Sequence, residues 1–183
     1  MRWIYRHPLI YEIVDFLDSG GLSWLARGRA LKSVKGRVLE VGIGTGLSKR
    51  WLKGCSLFGV DLSKTMLERA KRRGARVCVA DAVSLPFKDG AFEVVLFLFS
   101  LRVMSDGRKA LKEALRVGRR VLILEYLPLP RPLERLGFFV YGSKPLGRGI
   151  FDGLKVDSKR VAGIFVLHEV KAPQQEGSKN ALH

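Results

Sequence analysis

Two periodicities alternate along the chain. Apolar residues at helical spacing come first: Leu9, Ile10, Ile13, Val14, Phe16 and Leu17 within Pro8–Asp18, with Pro8 suited to a helix start. Leu22–Leu31 reads as a second helix. Arg37–Val41 is a short strand, and Leu47–Leu52 opens a helix directly after a run of glycines. Leu57–Val60 is a second strand, stopping at Asp61. Ser63–Arg73 is a helix with Ser63 as its N-cap and Gly74 as its stop. Arg76–Ala80 is a third strand, ending at Asp81. Phe92–Phe99 is apolar nearly throughout, as a strand covered on both faces should be. Arg108–Val117 is helical, Arg120–Glu125 is a fifth strand, Pro132–Tyr141 is a further helix, and Val161–Lys171 holds one or two last strands. The residues after Ala172 are polar and read as a frayed tail.

Strands alternating with helices at this spacing predict an α/β sheet, mostly parallel, with helices on both faces. Ligands of such sheets sit outside the carboxyl ends of the strands. Gly42–Gly46, Asp61, Asp81 and Phe99–Arg102 all fall at predicted strand ends of that kind.

Composition narrows the class. At 183 residues and 47% hydrophobic, the chain can bury a sizeable core. Its longest apolar run, Val94–Leu101, is far short of the roughly 20 residues of a membrane span. Arg2, Arg6, Glu12 and Asp15 interrupt the N-terminal apolar residues, so a signal peptide is not expected and the cytoplasm is. Cys55 and Cys78 form no CxxC pair and read as two small buried side chains; the three histidines are scattered, so no metal site is expected. The net charge of +16 changes the picture most. It suits nucleic acid, an anionic membrane face or an acidic substrate. It equally suits a thermophile's charged surface, because Asn180 is the single asparagine and Gln174 and Gln175 the only glutamines. Both readings stay open.

The candidate chemistry lies in VLEVGIGTG, residues 38–46. A glycine-rich strand-to-helix turn brings backbone amides close to a ligand. The spacing is G-x-G-x-G, with Leu47 where the dinucleotide fingerprint needs its third glycine, and no Gly-Lys-Ser/Thr follows to make a P-loop. Asp61 is placed to accept hydrogen bonds from ribose hydroxyls, and Asp81 from an adenine amino group. Glu40, two residues before Gly42, suits a cationic group and would repel a pyrophosphate. The combination describes a nucleoside ligand with positive charge and no phosphate, which S-adenosylmethionine (SAM) is.

These residues resemble the class I SAM-dependent methyltransferases. VLEVGIGTG is similar to that family's first motif, GVDLS (59–63) to its acidic ribose motif, and DAVSLPFKDGAFEVV (81–95) to its third- and fourth-strand motifs. The likeness narrows to the ubiquinone/menaquinone biosynthesis C-methyltransferases. YEIVDFLDSGGLSWLARGRAL (11–31), FSLRVMSD (99–106), LRVGRRVLILEYLPLPRPL (115–133), FFVYGSKPLGRGI (138–150) and VAGIFVLHEVKA (161–172) each resemble a segment of that family. The resemblance implies a Rossmann-like sheet of about seven strands, the last antiparallel. It implies one methyltransferase domain over 1–172, with 1–33 as N-terminal helices covering the site and 173–183 as a flexible tail. It implies SAM as cofactor, held by Glu40, Gly42, Ile43, Gly44, Thr45, Gly46, Asp61, Leu62, Met66, Asp81, Ala82 and Phe99. The family's Lys-Pro-Gly-Gly turn is missing between Leu115 and Arg120, the region covering the substrate is reduced, Val103 replaces Asn, and Glu93 stands where Asp is usual.

Methyl transfer from a sulfonium needs alignment of donor and acceptor and exclusion of water. No general base is evident in the sequence. Arg102 is the candidate catalytic residue, stabilising a developing phenolate; an ion-paired surface arginine is the alternative. Tyr126, Phe138, Phe139 and Tyr141 line either an apolar substrate pocket or the core, and Trp3, Tyr5, Tyr11 and Trp24 form either a lid or helix packing. The acceptor expected is a small or lipid-like molecule such as a quinol, with peripheral membrane contact as one use of the charge. An RNA methyltransferase and a non-catalytic SAM-binding protein are the rivals. No Pro-Pro-aromatic motif follows the fourth strand, and no Pro-Cys nucleophile is present, which counts against nucleic acid.

Overall fold

The computed structural model describes residues 6–18, 21–127, 132, 146–147 and 149–171. Helices α1 (Pro8–Asp18) and α2 (Leu22–Leu31) precede β1 (Arg37–Val41) and β2 (Ser56–Asp61). Then come α3 (Lys64–Arg72), β3 (Arg76–Val79), β4 (Phe92–Leu98), α4 (Gly107–Val117), β5 (Gly118–Tyr126), β6 (Val156–Ala162) and β7 (Phe165–Lys171). The sheet runs β3-β2-β1-β4-β5-β7-β6. Its first five strands are parallel, β7 is antiparallel to β5, and β6 is antiparallel to β7. Strand order reverses beside β1, so a crevice opens at its carboxyl end between the turns after β1 and β4. The predicted mixed α/β sheet is present, with its antiparallel end.

Both faces are covered. On one, Ala26, Ala30 and Leu31 of α2 and Leu67 and Ala70 of α3 pack against Val38, Leu57, Leu96, Leu122 and Phe165. On the other, Ala110, Leu111, Ala114 and Val117 of α4 pack against Leu39, Val95, Phe97, Val121 and Ile123. The alternation of β5 between these two sets is the period-2 pattern of a strand buried on both sides.

Local signals explain most boundaries. Ser63 caps α3 by accepting from the Met66 amide, and Gly74 ends it at φ +83°. Asp106 caps α4 by accepting from the Lys109 amide. Three expectations are corrected. The predicted helix over Leu47–Leu52 is a short 3-10 turn at Leu47–Arg50, because Gly54 at φ +78° turns the chain back towards β2. Cys55 is buried as expected, whereas Cys78 is exposed. It lies on β3, the edge strand, and the chain between β3 and β4 forms no helix to cover it. The last strands form a hairpin starting at Val156, five residues before the predicted Val161. The predicted helix over Pro132–Tyr141, apart from Pro132, and the tail beyond Ala172 lie outside the described residues.

The missing turn between α4 and β5 has a visible consequence. Val117 ends the helix and Gly118 starts the strand, and a Cβ on Gly118 would lie 2.4 Å from Cγ2 of Val95. Gly118→Ala is expected to destabilise the fold by about 1–3 kcal/mol through overpacking. A fall in the urea midpoint checks this; an unchanged midpoint would show that β4 can move aside.

Candidate functional site

The site is built on the turn after β1. Gly42, Gly44 and Gly46 have φ of 73°, 55° and 76°, values that side chains disfavour and glycine accepts. A Cβ on Gly42 would lie 2.6 Å from Cβ of Ser100, and one on Gly46 would lie 2.9 Å from Cα of Ala70. The Cβ position of Gly44 has no such neighbour within 4 Å. The outer glycines therefore seat the turn against the segment after β4 and against α3. The middle glycine leaves the backbone approachable.

Asp61 organises the approachable side. Its Oδ2 accepts from the Gly44 amide and its Oδ1 from the Ser63 amide, both at 2.9 Å. Burial pushes this carboxyl up while those amides pull it down. Each oxygen retains a lone pair for a hydroxyl. Leu62 beside it is exposed and Met66 is buried below. The Ala80 amide donates to the Asp61 carbonyl, which brings the next segment alongside. There Asp81 is exposed and accepts from the Val83 amide at 3.1 Å, and Ala82 is buried. Ile43 and Thr45 turn their side chains into the protein.

Glu40 is less open than the sequence suggested. It is buried and accepts a hydrogen bond from the Ser48 hydroxyl. Burial pushes its pKa up to about 7 and Asp61 adds to that, against the pull of Ser48 and Arg27. Arg27 went unnoticed in the sequence. It is buried on α2, 3.2 Å from Asp15 of α1, with its guanidinium 4.7 Å from the Phe99 ring centroid. Burial opposes its charge, and Asp15, Tyr11 and Glu40 uphold it. A second tie holds α1 over the turn: Glu12 bonds Arg69 and Arg73, and Arg73 also donates to the Thr45 carbonyl at 2.7 Å. Burial works against the Glu12 charge, yet Arg73, Arg69 and Thr45 hold its pKa down at about 2.

The ends of β4 and β5 form the other wall. Phe99 is the one non-glycine residue with positive φ among the described residues, at 61°, a strained geometry that clusters at functional sites. Its ring packs against Tyr126 and Phe165 at 5.1 and 5.4 Å between centroids. Ser100 donates to the Val41 carbonyl at 2.6 Å, joining this segment to the glycine turn. Arg102 sits in a 3-10 turn, Leu101–Val103, with its guanidinium 6.0 Å from the Tyr126 ring centroid. It lines a cleft of about 310 Å³ with Leu101, Met104, Leu146 and Ile150.

Beneath that turn lies a buried acid that the sequence did not reveal. Glu125 is 1% exposed and neither carboxylate oxygen has a hydrogen-bond partner. Burial pushes its pKa up to about 8. The Arg102 charge and the nearby amides of Arg102 and Leu101 pull it down, without closing to hydrogen-bonding geometry. A carboxylate ending an apolar strand, in LILEY as in VLEVG, was the signal available. Among the aromatics, Trp24 packs edge-on to Phe16 and Trp51 at 5.9 Å, the helix-packing reading. Trp3, Tyr5, Phe138, Phe139 and Tyr141 lie outside the described residues.

The open Gly44 cradle, the spare lone pairs of Asp61 and the buried acid Glu40 fit a cationic nucleoside such as SAM. Fold and turn together define a class I methyltransferase scaffold. A methyltransferase domain family matches residues 39–121. The demethylmenaquinone methyltransferase of Thermus thermophilus is 33% identical over 156 residues, covering 77% of this chain and 70% of that protein. That of Thermotoga maritima is 32% identical over 170 residues, covering 84% and 74%. A solved SAM-dependent methyltransferase from Thermotoga maritima, described as a possible histamine N-methyltransferase, shares the fold. It has a TM-score of 0.75 and 24% identity, over 93% of this chain and 98% of that one. The chain belongs to the demethylmenaquinone methyltransferase family of SAM-dependent methyltransferases. It is an enzyme, and SAM is its methyl donor.

Glu40 gives the site a pH dependence. A bound cation stabilises ionised Glu40 and so lowers its pKa from about 7. SAM affinity should therefore weaken as pH falls below 7 and level off above it. Calorimetric titration between pH 5.5 and 8.5 checks the slope, and Glu40→Gln should flatten it. An unchanged slope in that variant would assign the titration to another group.

Proposed function

We propose that this methyltransferase acts on an apolar, phenolic acceptor of quinol type, in the cytoplasm. SAM is held by Glu40, Gly42, Gly44, Gly46, Asp61, Leu62, Asp81 and Ala82. The observation that carries the acceptor reading is the placement of Arg102 among Leu101, Met104, Leu146 and Ile150 at the carboxyl ends of β4 and β5. Arg102 stands beside these apolar side chains in a cleft that Ser105 and Arg108 also line, and such a mixed lining suits a ring that is apolar overall and becomes anionic at one oxygen. The names of the demethylmenaquinone methyltransferase relatives support the same reading.

When bound, SAM supplies a methyl group on a cationic sulfur, so the leaving group is neutral. Arg102 stabilises the phenolate formed when the acceptor hydroxyl gives its proton to solvent water; the charge enriches the ring carbons in electron density, and the carbon that takes the methyl group afterwards gives its own proton to water. Phe99 and Tyr126 give the ring an aromatic wall. Helix α1, pinned by Glu12 and Asp15, keeps water from the cofactor side. Glu125 is mostly neutral at pH 7 and so does not itself neutralise the Arg102 charge; above pH 8 it ionises and competes with the phenolate for that charge.

Purified protein incubated with methyl-labelled SAM and fractionated cell extract tests the acceptor class. Label is expected in the lipid fraction, and label confined to RNA or protein would overturn the reading. Arg102→Ala should lower turnover on a reduced quinone by about 100-fold or more, the scale of losing one charge-stabilising donor, with SAM affinity unchanged. Full activity in that variant would remove Arg102 from the chemistry. Glu125→Gln should keep activity at pH 7 and lose the decline above pH 8; a pH profile identical to that of the parent would exclude the Glu125 role.

A further inference from the structure

Helix α1 turns its polar residues inward and its apolar residues outward. Glu12 and Asp15 are both engaged, with α3 and α2 respectively. Leu9, Ile13 and Phe16, at i, i+4 and i+7, are 60%, 57% and 48% exposed. The stripe does not stop at the helix. Phe16 packs on Trp24 and approaches Gly21, the outward Leu22 and Leu25 of α2 continue it, and Leu22 reaches the Gly163–Ile164 tip of the β6–β7 hairpin. A run of exposed apolar side chains across three elements is more than the scattered surface apolars of an ordinary soluble protein.

The rim of this face is cationic. Arg29 of α2 donates to the Val161 carbonyl at the hairpin, and exposed Lys159 and Arg160 lie on β6. Arg50 stacks over Trp24 at 4.4 Å. Under the start of α1 a cleft of about 440 Å³ brings Arg6, His7 and Arg72 beside Leu9 and Ile10, together with Arg69, which is already paired with Glu12, and one acid, Glu68, so that its cations outnumber its carboxylates. Cations next to exposed aliphatic side chains match a phosphate headgroup next to acyl chains. No helix among the described residues is long and apolar enough to cross a membrane, so the geometry is that of a helix lying in an interface.

We propose that the outer face of α1, continued by Leu22, Leu25 and Ile164, seats the enzyme on an anionic phospholipid surface, with the cleft lined by Arg6 and Arg72 receiving a headgroup phosphate. Apolar contact gives the surface its grip, and the net charge of +16 gives it a preference for anionic lipid. The same helix covers the cofactor turn, so seating it on a membrane puts the methyl donor next to a lipid-dissolved acceptor. The placement rests on the lipid-like acceptor reading only for its purpose; the binding itself needs no acceptor.

Vesicle co-sedimentation tests it without turnover. The purified chain is mixed with vesicles of phosphatidylcholine alone or with phosphatidylglycerol added, at low and high salt. Binding is expected to the anionic vesicles, at least tenfold tighter than to the neutral ones, and to weaken as salt rises. The double variant Ile13→Glu/Phe16→Glu should lose that binding at least tenfold while its SAM affinity, measured by calorimetry, is unchanged. Arg6→Glu/Arg72→Glu should reduce the preference for anionic lipid and retain part of the apolar contact. Absence of binding to anionic vesicles at low salt would overturn the proposal. So would undiminished binding in the Ile13/Phe16 variant, or capture by single-stranded RNA in preference to vesicles. A chain that methylates a detergent-dissolved quinol and ignores vesicles would keep the acceptor reading and lose this one.

Discussion

The turn from Val41 to Gly46 is the constraint on which the rest depends. Gly42 must pass within contact of Ser100, and Gly46 within contact of Ala70. Ser100 bonds the Val41 carbonyl, and Asp61 bonds the Gly44 amide. One short stretch of backbone thus ties β1 to the ends of β2 and β4 and to α3. The left-handed geometry needs glycine, the close approaches need the absence of a side chain, and only the middle glycine faces open space. The outer pair seat the turn against its neighbours, and the central one leaves the backbone open to approach.

Charge is arranged around this turn in two layers. Outside it, ion pairs from Glu12 and Asp15 hold α1 in place, and their arginines also touch the site, Arg73 through the Thr45 carbonyl and Arg27 through the Phe99 ring. Inside it, two buried acids, Glu40 and Glu125, flank the crevice with pKa values pushed up into the neutral range. A buried carboxylate is costly when ionised and unpaired. Both therefore respond to any cation near them, Glu40 to Arg27 and Glu125 to Arg102.

Much of this was legible in the sequence wherever the signal is local. Ser63 and Gly74 mark the two ends of α3, the glycines mark the turn, and Asp61 marks the strand end beside it. What was not legible depends on distant segments meeting. Glu125 is on the α4 face of β5 because of register with Val166 and cover from Leu101 and Arg102, none of it adjacent in sequence. Arg27 reads as a surface helix residue until Asp15 is folded onto it. Cys78 reads as a core residue until β3 becomes the sheet edge. The apolar periodicity of α1 was legible as a helix, but the outward direction of Leu9, Ile13 and Phe16 was not, since periodicity reports that a helix has two sides and not which side meets water.

The central claim is that the open glycine and its flanking acids recognise a cationic nucleoside without phosphates. The most direct measurement is an equilibrium titration of the purified chain with SAM, S-adenosylhomocysteine, NAD and ATP side by side. Saturable one-to-one binding of SAM and S-adenosylhomocysteine, with NAD and ATP silent, is the result predicted. Comparable binding of NAD or ATP, or no binding of SAM, would contradict it.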